Sequence, residues 1–196
     1  MKKVSYLLLA CLMATSVFVA SCSKDDDNNN TSTPTPTTPS LYDRVGGTTM
    51  VNDPNNPGTM IEKGRLTLRA VVDSSILVIA ADAQLAPYFP VLFAELGNNN
   101  TSGLVALSEN FTDFMCVATG SKNASYGYTG KNMKDAHDPA KNNRMGMKAN
   151  KADFDKFVGD IGIGLAKNGV TAQNNKQLVD DLVALLYTTE ADIVQR

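Results

Sequence analysis

In three separate stretches the apolar residues recur every three or four positions and never alternate, a spacing that lets a chain bury one face only as a helix. The first comprises Leu104, Leu107, Phe111, Phe114, Met115 and Ala118. The second runs through Phe154, Phe157, Val158, Ile161 and Leu165, with Asn150 placed to cap its start and Asn168-Gly169 placed to stop it. Leu178, Leu182, Leu185 and Leu186 mark a third. Taken alone, Ile76-Leu77-Val78-Ile79 reads as a buried strand. Ala70-Val71-Val72 before it and Ala80-Ala81 after it extend the run beyond strand length, so Ser74 to Ala81 is expected to be helical. Thr48 to Gly64, rich in Asn, Pro and Gly, reads as a loop or insertion. The fold class is therefore all-α, and the length from Ser40 to Arg196 suits one domain with a full core.

The N-terminus follows different rules. Lys2 and Lys3 precede an apolar stretch from Val4 to Val19 that is short and interrupted by Ser5, Thr15 and Ser16, the pattern of a secretory signal peptide rather than a membrane span. It closes on Val19-Ala20-Ser21-Cys22, which resembles the lipobox of bacterial lipoproteins, although Val19 stands where Leu is more frequent. The resemblance implies cleavage after residue 21 and lipidation of Cys22. Ser23-Lys24-Asp25-Asp26-Asp27 is similar to the tag that sends some lipoproteins to the outer face of the outer membrane. Residues 28–39 contain only Asn, Thr, Ser and Pro, which cannot bury apolar surface, so residues 22–39 are expected to form an extended tether. The expected mature protein is an outer-membrane lipoprotein at the cell surface, touching the membrane through its lipid alone.

Of 3 cysteines, Cys11 leaves with the signal peptide and Cys22 is lipidated, so Cys116 has no partner for a disulfide. Cleavage also removes Lys2 and Lys3 and no acid, making the mature chain more acidic than the formal −2 of the full sequence. With no basic cluster, nucleic acid is an unsuitable partner. The chain has 1 histidine, His137. A lone imidazole cannot build a zinc site or a facial triad that needs paired histidines. Haem chemistry is different, because the iron is already held by four porphyrin nitrogens and needs one proximal ligand from the protein.

Several segments, taken in order, resemble the truncated haemoglobins of the first group. They are Ser40-Leu41-Tyr42-Asp43-Arg44-Val45-Gly46-Gly47, Asp82-Ala83-Gln84-Leu85-Ala86-Pro87-Tyr88-Phe89, Tyr128-Thr129-Gly130 with Met133-Lys134 and His137, and Phe154 through Gly169-Val170. The resemblance implies a short globin in which two pairs of antiparallel helices sandwich the cofactor, haem b. It implies that His137 is the iron ligand, its second ring nitrogen donating to Asp135, Asp138 or a carbonyl of the preceding turn. Phe89, Met133 and Phe154 match walls of the haem pocket, and Lys131, Lys134 and Arg144 are candidate partners for the propionates. The side facing the gas departs from the family. Ile76 stands where a tyrosine is usual, Ser75 where a phenylalanine is usual, and Leu107 and Phe111 occupy the positions of the next helix that face the ligand, the latter in place of a frequent glutamine.

The function this implies is binding of oxygen or another diatomic gas, with NO and CO as alternatives, at a His-ligated haem. Haem capture at the cell surface is the alternative reading. An enzymatic role, oxidation of nitric oxide by bound oxygen, is disfavoured because that chemistry benefits from a polar group beside the ligand. A degenerate globin serving only as an interaction module is disfavoured by the retention of His137.

Overall fold

The computed structural model describes residues 38–196. The expected signal peptide, Cys22 and the expected tether up to residue 37 lie outside the described residues. Helix α1 (Leu41–Arg44) opens with a reciprocal cap in which the Asp43 amide donates to the Ser40 hydroxyl and the Asp43 carboxylate accepts from the Ser40 amide. Thr48 to Gly64 is not a plain loop. Strands β1 (Met50–Asn52) and β2 (Met60–Glu62) pair antiparallel with Val51 opposite Ile61, and the Asn/Pro/Gly-rich stretch between them forms the turn. Asp53 in that turn is paired with Arg69 at 2.7 Å.

The hairpin runs directly into α2 (Lys63–Ala81). Its buried residues, Leu68, Val71, Val72, Ser75, Ile76 and Ile79, repeat every three or four positions, whereas Leu77 is 68% exposed. That pattern buries one helical stripe, so tertiary packing overrides the strand preference of Ile76-Leu77-Val78-Ile79. A 3-10 turn at Ala86–Tyr88 leads to α3 (Pro90–Gly97), which has proline at its first position, where the missing N–H costs nothing. Helix α4 (Ser102–Thr119) ends at Gly120, whose φ of 102° carries the chain into the left-handed region. A 3-10 turn at Ala124–Tyr126 follows, then α5 (Met133–Ala136).

Helix α6 (Lys151–Lys167) begins at Asn150, which caps it reciprocally with Asp153, and α7 (Ala172–Tyr187) begins at Thr171 in the same way with Asn174. Helix α8 (Glu190–Ile193) closes the described chain, and Val194 forms a parallel bridge with Ala149. Helix α2 is the centre of the molecule, packing along α6 on one side and α4 on the other. At the first of these contacts a Cβ on Gly164 would collide with Ser75, so the two helices approach as closely as a glycine allows. Ser75 therefore lies at a helix crossing. Tyr42, Leu68, Val72, Phe154, Leu182 and Leu186 are the largest fully buried apolar side chains, worth roughly 1.5–3 kcal/mol each on transfer from water.

The hairpin is joined to the segment after α4, residues 121–128. Glu62 is buried, and its carboxylate accepts from the Tyr42 hydroxyl at 2.7 Å and from the Asn123 amide at 2.8 Å. The Arg65 guanidinium lies over the Tyr126 ring, 4.5 Å from its centroid.

Candidate functional site

The cleft is a space that the large side chains fail to fill. Phe89, Leu107, Phe111, Phe114, Met133, Met145 and Phe157 pack against the core yet remain only partly buried. All of them line one cleft of about 340 Å³. Helix α2 contributes Ile76, Ile79 and Ala80 to its wall, α4 contributes Leu107, Phe111 and Phe114, and α6 contributes Phe157. On the other side stand Met133, Ala136 and His137, from α5 and its C-terminal cap. Helix α5 packs on α8, which leaves room between it and the α2–α4 wall.

The short turn carrying His137 is held from several directions. Asn132 caps it, accepting from the Asp135 amide at 2.8 Å. The Asn142 amide donates to the Ala136 carbonyl at 2.7 Å, and the Gln195 amide donates to the Lys134 carbonyl at 2.8 Å. Nδ1 of His137 lies 2.8 Å from the Met133 carbonyl oxygen. A carbonyl can only accept, so Nδ1 carries the proton and Nε2 keeps its lone pair. Burial pushes the imidazole pKa below its ordinary value, opposed by the Met133 bond. The neutral ring that results is the form that binds a metal. Of the three partners expected for the second nitrogen, the carbonyl of the preceding turn is the one observed. The Asp135 carboxylate accepts from the Asn132 side-chain amide at 2.9 Å, and Asp138 faces Lys148 at 3.6 Å.

His137, Phe89, Met133, Ile76, Leu107 and Phe111 thus come together around one cleft, drawn from distant parts of the chain. Phe154 does not join them. It is 1% exposed and sits behind the wall, its ring 6.3 Å from Phe157 and 5.5 Å from Tyr187. Phe157, three residues along the same helix face, borders the cleft instead. Ile79, Phe114, Tyr128 and Met145 also line it without having been singled out as wall residues. The helical spacing that includes Phe114 and Phe157 marks them as facing inward, but inward includes both core and cleft.

Apart from Lys131, the polar side chains of the lining have partners already. The Tyr128 hydroxyl donates to the Lys131 carbonyl at 2.6 Å, and the Thr189 hydroxyl to the Leu186 carbonyl at 2.7 Å. Asn110, exposed at the edge, donates to the Ala106 carbonyl at 2.7 Å. Arg144 grips Glu95 with both guanidinium nitrogens, at 2.8 and 2.6 Å. Lys131 and Arg144 stand exposed on the rim, whereas Lys134 is not part of the lining. No residue of the 48–64 insertion lines the cleft.

Truncated haemoglobin from Tetrahymena pyriformis, in two single-substitution variants in the Fe(III) form, is similar in structure, with a TM-score of 0.55 and 19% identity over 81% of this chain and 100% of that one. The 2/2 hemoglobin from Synechococcus sp. PCC 7002, in the cyanomet state with covalently attached heme, gives 0.54 and 19% over the same shares. The fold is that of a truncated haemoglobin. No protein-family model matches the sequence, and no curated protein matches it either. On this truncated-haemoglobin fold the residues present suit a haem. The walls are apolar, as the flat macrocycle requires, and the one imidazole in the chain borders the cleft with a ring nitrogen free. The rim cations Lys131 and Arg144 suit carboxylates that reach toward solvent.

Proposed function

We propose that this protein is a haem-binding globin of the first truncated group, taking haem b in the cleft with His137 as its iron ligand and binding a small diatomic gas there. One observation carries the reading. The only histidine in the chain borders the apolar cleft with its Nδ1–H committed to the Met133 carbonyl and Nε2 unprotonated. When bound, haem supplies an iron with a coordination position open to a gas. The protein's part is to fix the imidazole plane through Met133, Asn132 and Asn142, and to keep water out with Phe89, Leu107, Phe111 and Phe157. Lys131 and Arg144 would meet the propionates, Arg144 by exchanging or sharing its bond to Glu95.

Reconstitution of the purified domain with haem tests this. The wild-type domain should bind haem at one equivalent with a Soret band. His137→Ala should lose stable binding, because no second imidazole exists to replace the ligand. Haem retained by the variant at full stoichiometry with an unchanged ferrous spectrum would overturn the assignment.

The same reading includes location. A signal peptide over 1–21, lipidation at Cys22 and a tether to residue 39 would hold the domain at the outer membrane on its outer face, supported by the sequence of residues 1–39. Cys22→Ala should move the protein from the membrane fraction to the soluble one, and protease treatment of whole cells should report the face. A variant that fractionates with membranes as before would remove the lipid anchor from the proposal. Capture of haem itself is the second reading, favoured by the exposed rim of the cleft at Lys131 and Arg144.

A further inference from the structure

Resting on the reading of the cleft as a haem site, we infer that it selects a near-neutral diatomic ligand, of which carbon monoxide is the probe, over oxygen. The wall contributed by α2 and α4 beneath its edge is entirely hydrocarbon, including Ile76, Ile79, Leu107 and Phe111. Six other side chains of the lining carry polar atoms besides His137: Asn110, Tyr128, Lys131, Asn142, Arg144 and Thr189. The single O–H groups of Tyr128 and Thr189 are spent on backbone carbonyls. Asn142 is bound to the carbonyl of Ala136, next to the imidazole and so on the same side of the cleft as His137 rather than across from it. Asn110, Lys131 and Arg144 are exposed at the rim, and Arg144 is held by Glu95.

Among the described residues, then, the wall across from His137 carries no side-chain donor except Asn110 at its exposed edge. Oxygen on ferrous haem draws negative charge onto its outer atom, and a donor aimed at that atom slows its release. Carbon monoxide draws little charge and gains little from a donor. Distal polarity and donors are what a haem protein uses to choose among such ligands. A wall without them leaves oxygen weakly held and carbon monoxide unaffected, and this places the protein's ligand among gases that need no hydrogen bond.

The test uses the haem-reconstituted ferrous protein, with oxygen and carbon monoxide release followed after rapid mixing and flash photolysis, and the C–O stretch read by infrared. Ile76→Tyr places a hydroxyl on α2, and Phe111→Gln, at a less buried site, places an amide on α4. Each should slow oxygen release by about ten-fold, the worth of one good hydrogen bond, with carbon monoxide release nearly unchanged and the C–O stretch moved to lower frequency. Circular dichroism and haem stoichiometry establish that each variant folds and loads. If neither does, the wild-type protein decides alone: fast oxygen release with a single high-frequency C–O band is expected. Slow oxygen release and a low-frequency band in the unmodified protein would overturn the inference while leaving the haem site intact. A domain that takes up no haem would remove the site itself, a separate result read from the Soret band before any gas is added.

Discussion

Asp153 shows how much one side chain can gather. It is almost wholly buried at the start of α6, where its carboxylate accepts from the Tyr88 hydroxyl, the Asn150 backbone amide, the Gln84 amide and the Arg196 guanidinium. Burial pushes its pKa up, but the donors outweigh burial and hold the carboxyl well below the usual carboxylate range. Burial, with the same contact adding to it, pushes the Tyr88 phenol up to about 12. Because the folded value lies below the unfolded one of about 3.9, the stabilisation is fully present above that pH and is lost as the pH falls through the range beneath it. Asp153→Ala should therefore cost on the order of 3 kcal/mol at neutral pH by urea titration, with the gap to wild type closing below about pH 4. A gap independent of pH would show that Asp153 acts through packing alone. The Asn150 cap was legible in the sequence because capping obeys rules spanning four residues. Tyr88 and Arg196 were not, since nothing local brings positions 88 and 196 to residue 153. Phe154 against Phe157 is the same lesson within one helix: spacing identifies the inward face, but not which residue of that face borders a void.

At the scale of elements, the helices announced by period appear where expected, and the segment that departs is the one without a period. The stretch from Thr48 to Gly64 has the turn residues of a loop, and Val51 and Ile61 are too few to signal the strands they anchor. What makes them a hairpin is tertiary, namely Glu62 held by Tyr42 and Asn123 and Asp53 held by Arg69. Glu62→Ala would leave a buried phenol and an amide without an acceptor, each worth about 1–3 kcal/mol, so the thermal midpoint should drop by several degrees, and Tyr42→Phe should cost less. Equal losses from both would mean the carboxylate is solvated in solution. The α2–α6 crossing is the other place where one residue controls an element. Gly164→Ala gains roughly 0.5–1 kcal/mol of helix propensity but meets Ser75, and overpacking of this kind costs about 1–3 kcal/mol. A net loss of stability is expected, smaller on a Ser75→Ala background, where the hydroxyl that collides is gone. Additive effects in the denaturant midpoints of the four proteins would show that the helices simply move apart.

For the molecule as a whole, the order of motifs along the chain was enough to name the fold even at 19% identity to the solved structures it resembles. That is because the motifs sit where the chain must turn, cap or line the cleft. The volume and the commitments of the cleft were not legible, since a void has no residues of its own and a donor's partner is fixed only in three dimensions. Three helices separate the 48–64 insertion from residues 121–128 along the chain, and the structure fastens one to the other through Glu62, Asn123, Arg65 and Tyr126. Native-state hydrogen exchange should see this as a single cooperative opening: the amides of 50–62 and of 121–128 should become labile at one shared free energy, below that of α2 and α6. Neither the hairpin nor residues 121–127 line the cleft, and Tyr128 is the one residue where the unit meets it. That opening, Tyr128 aside, should accordingly proceed at the same rate whether or not the cleft is filled, giving the molecule one region whose breathing is independent of whatever the cleft holds.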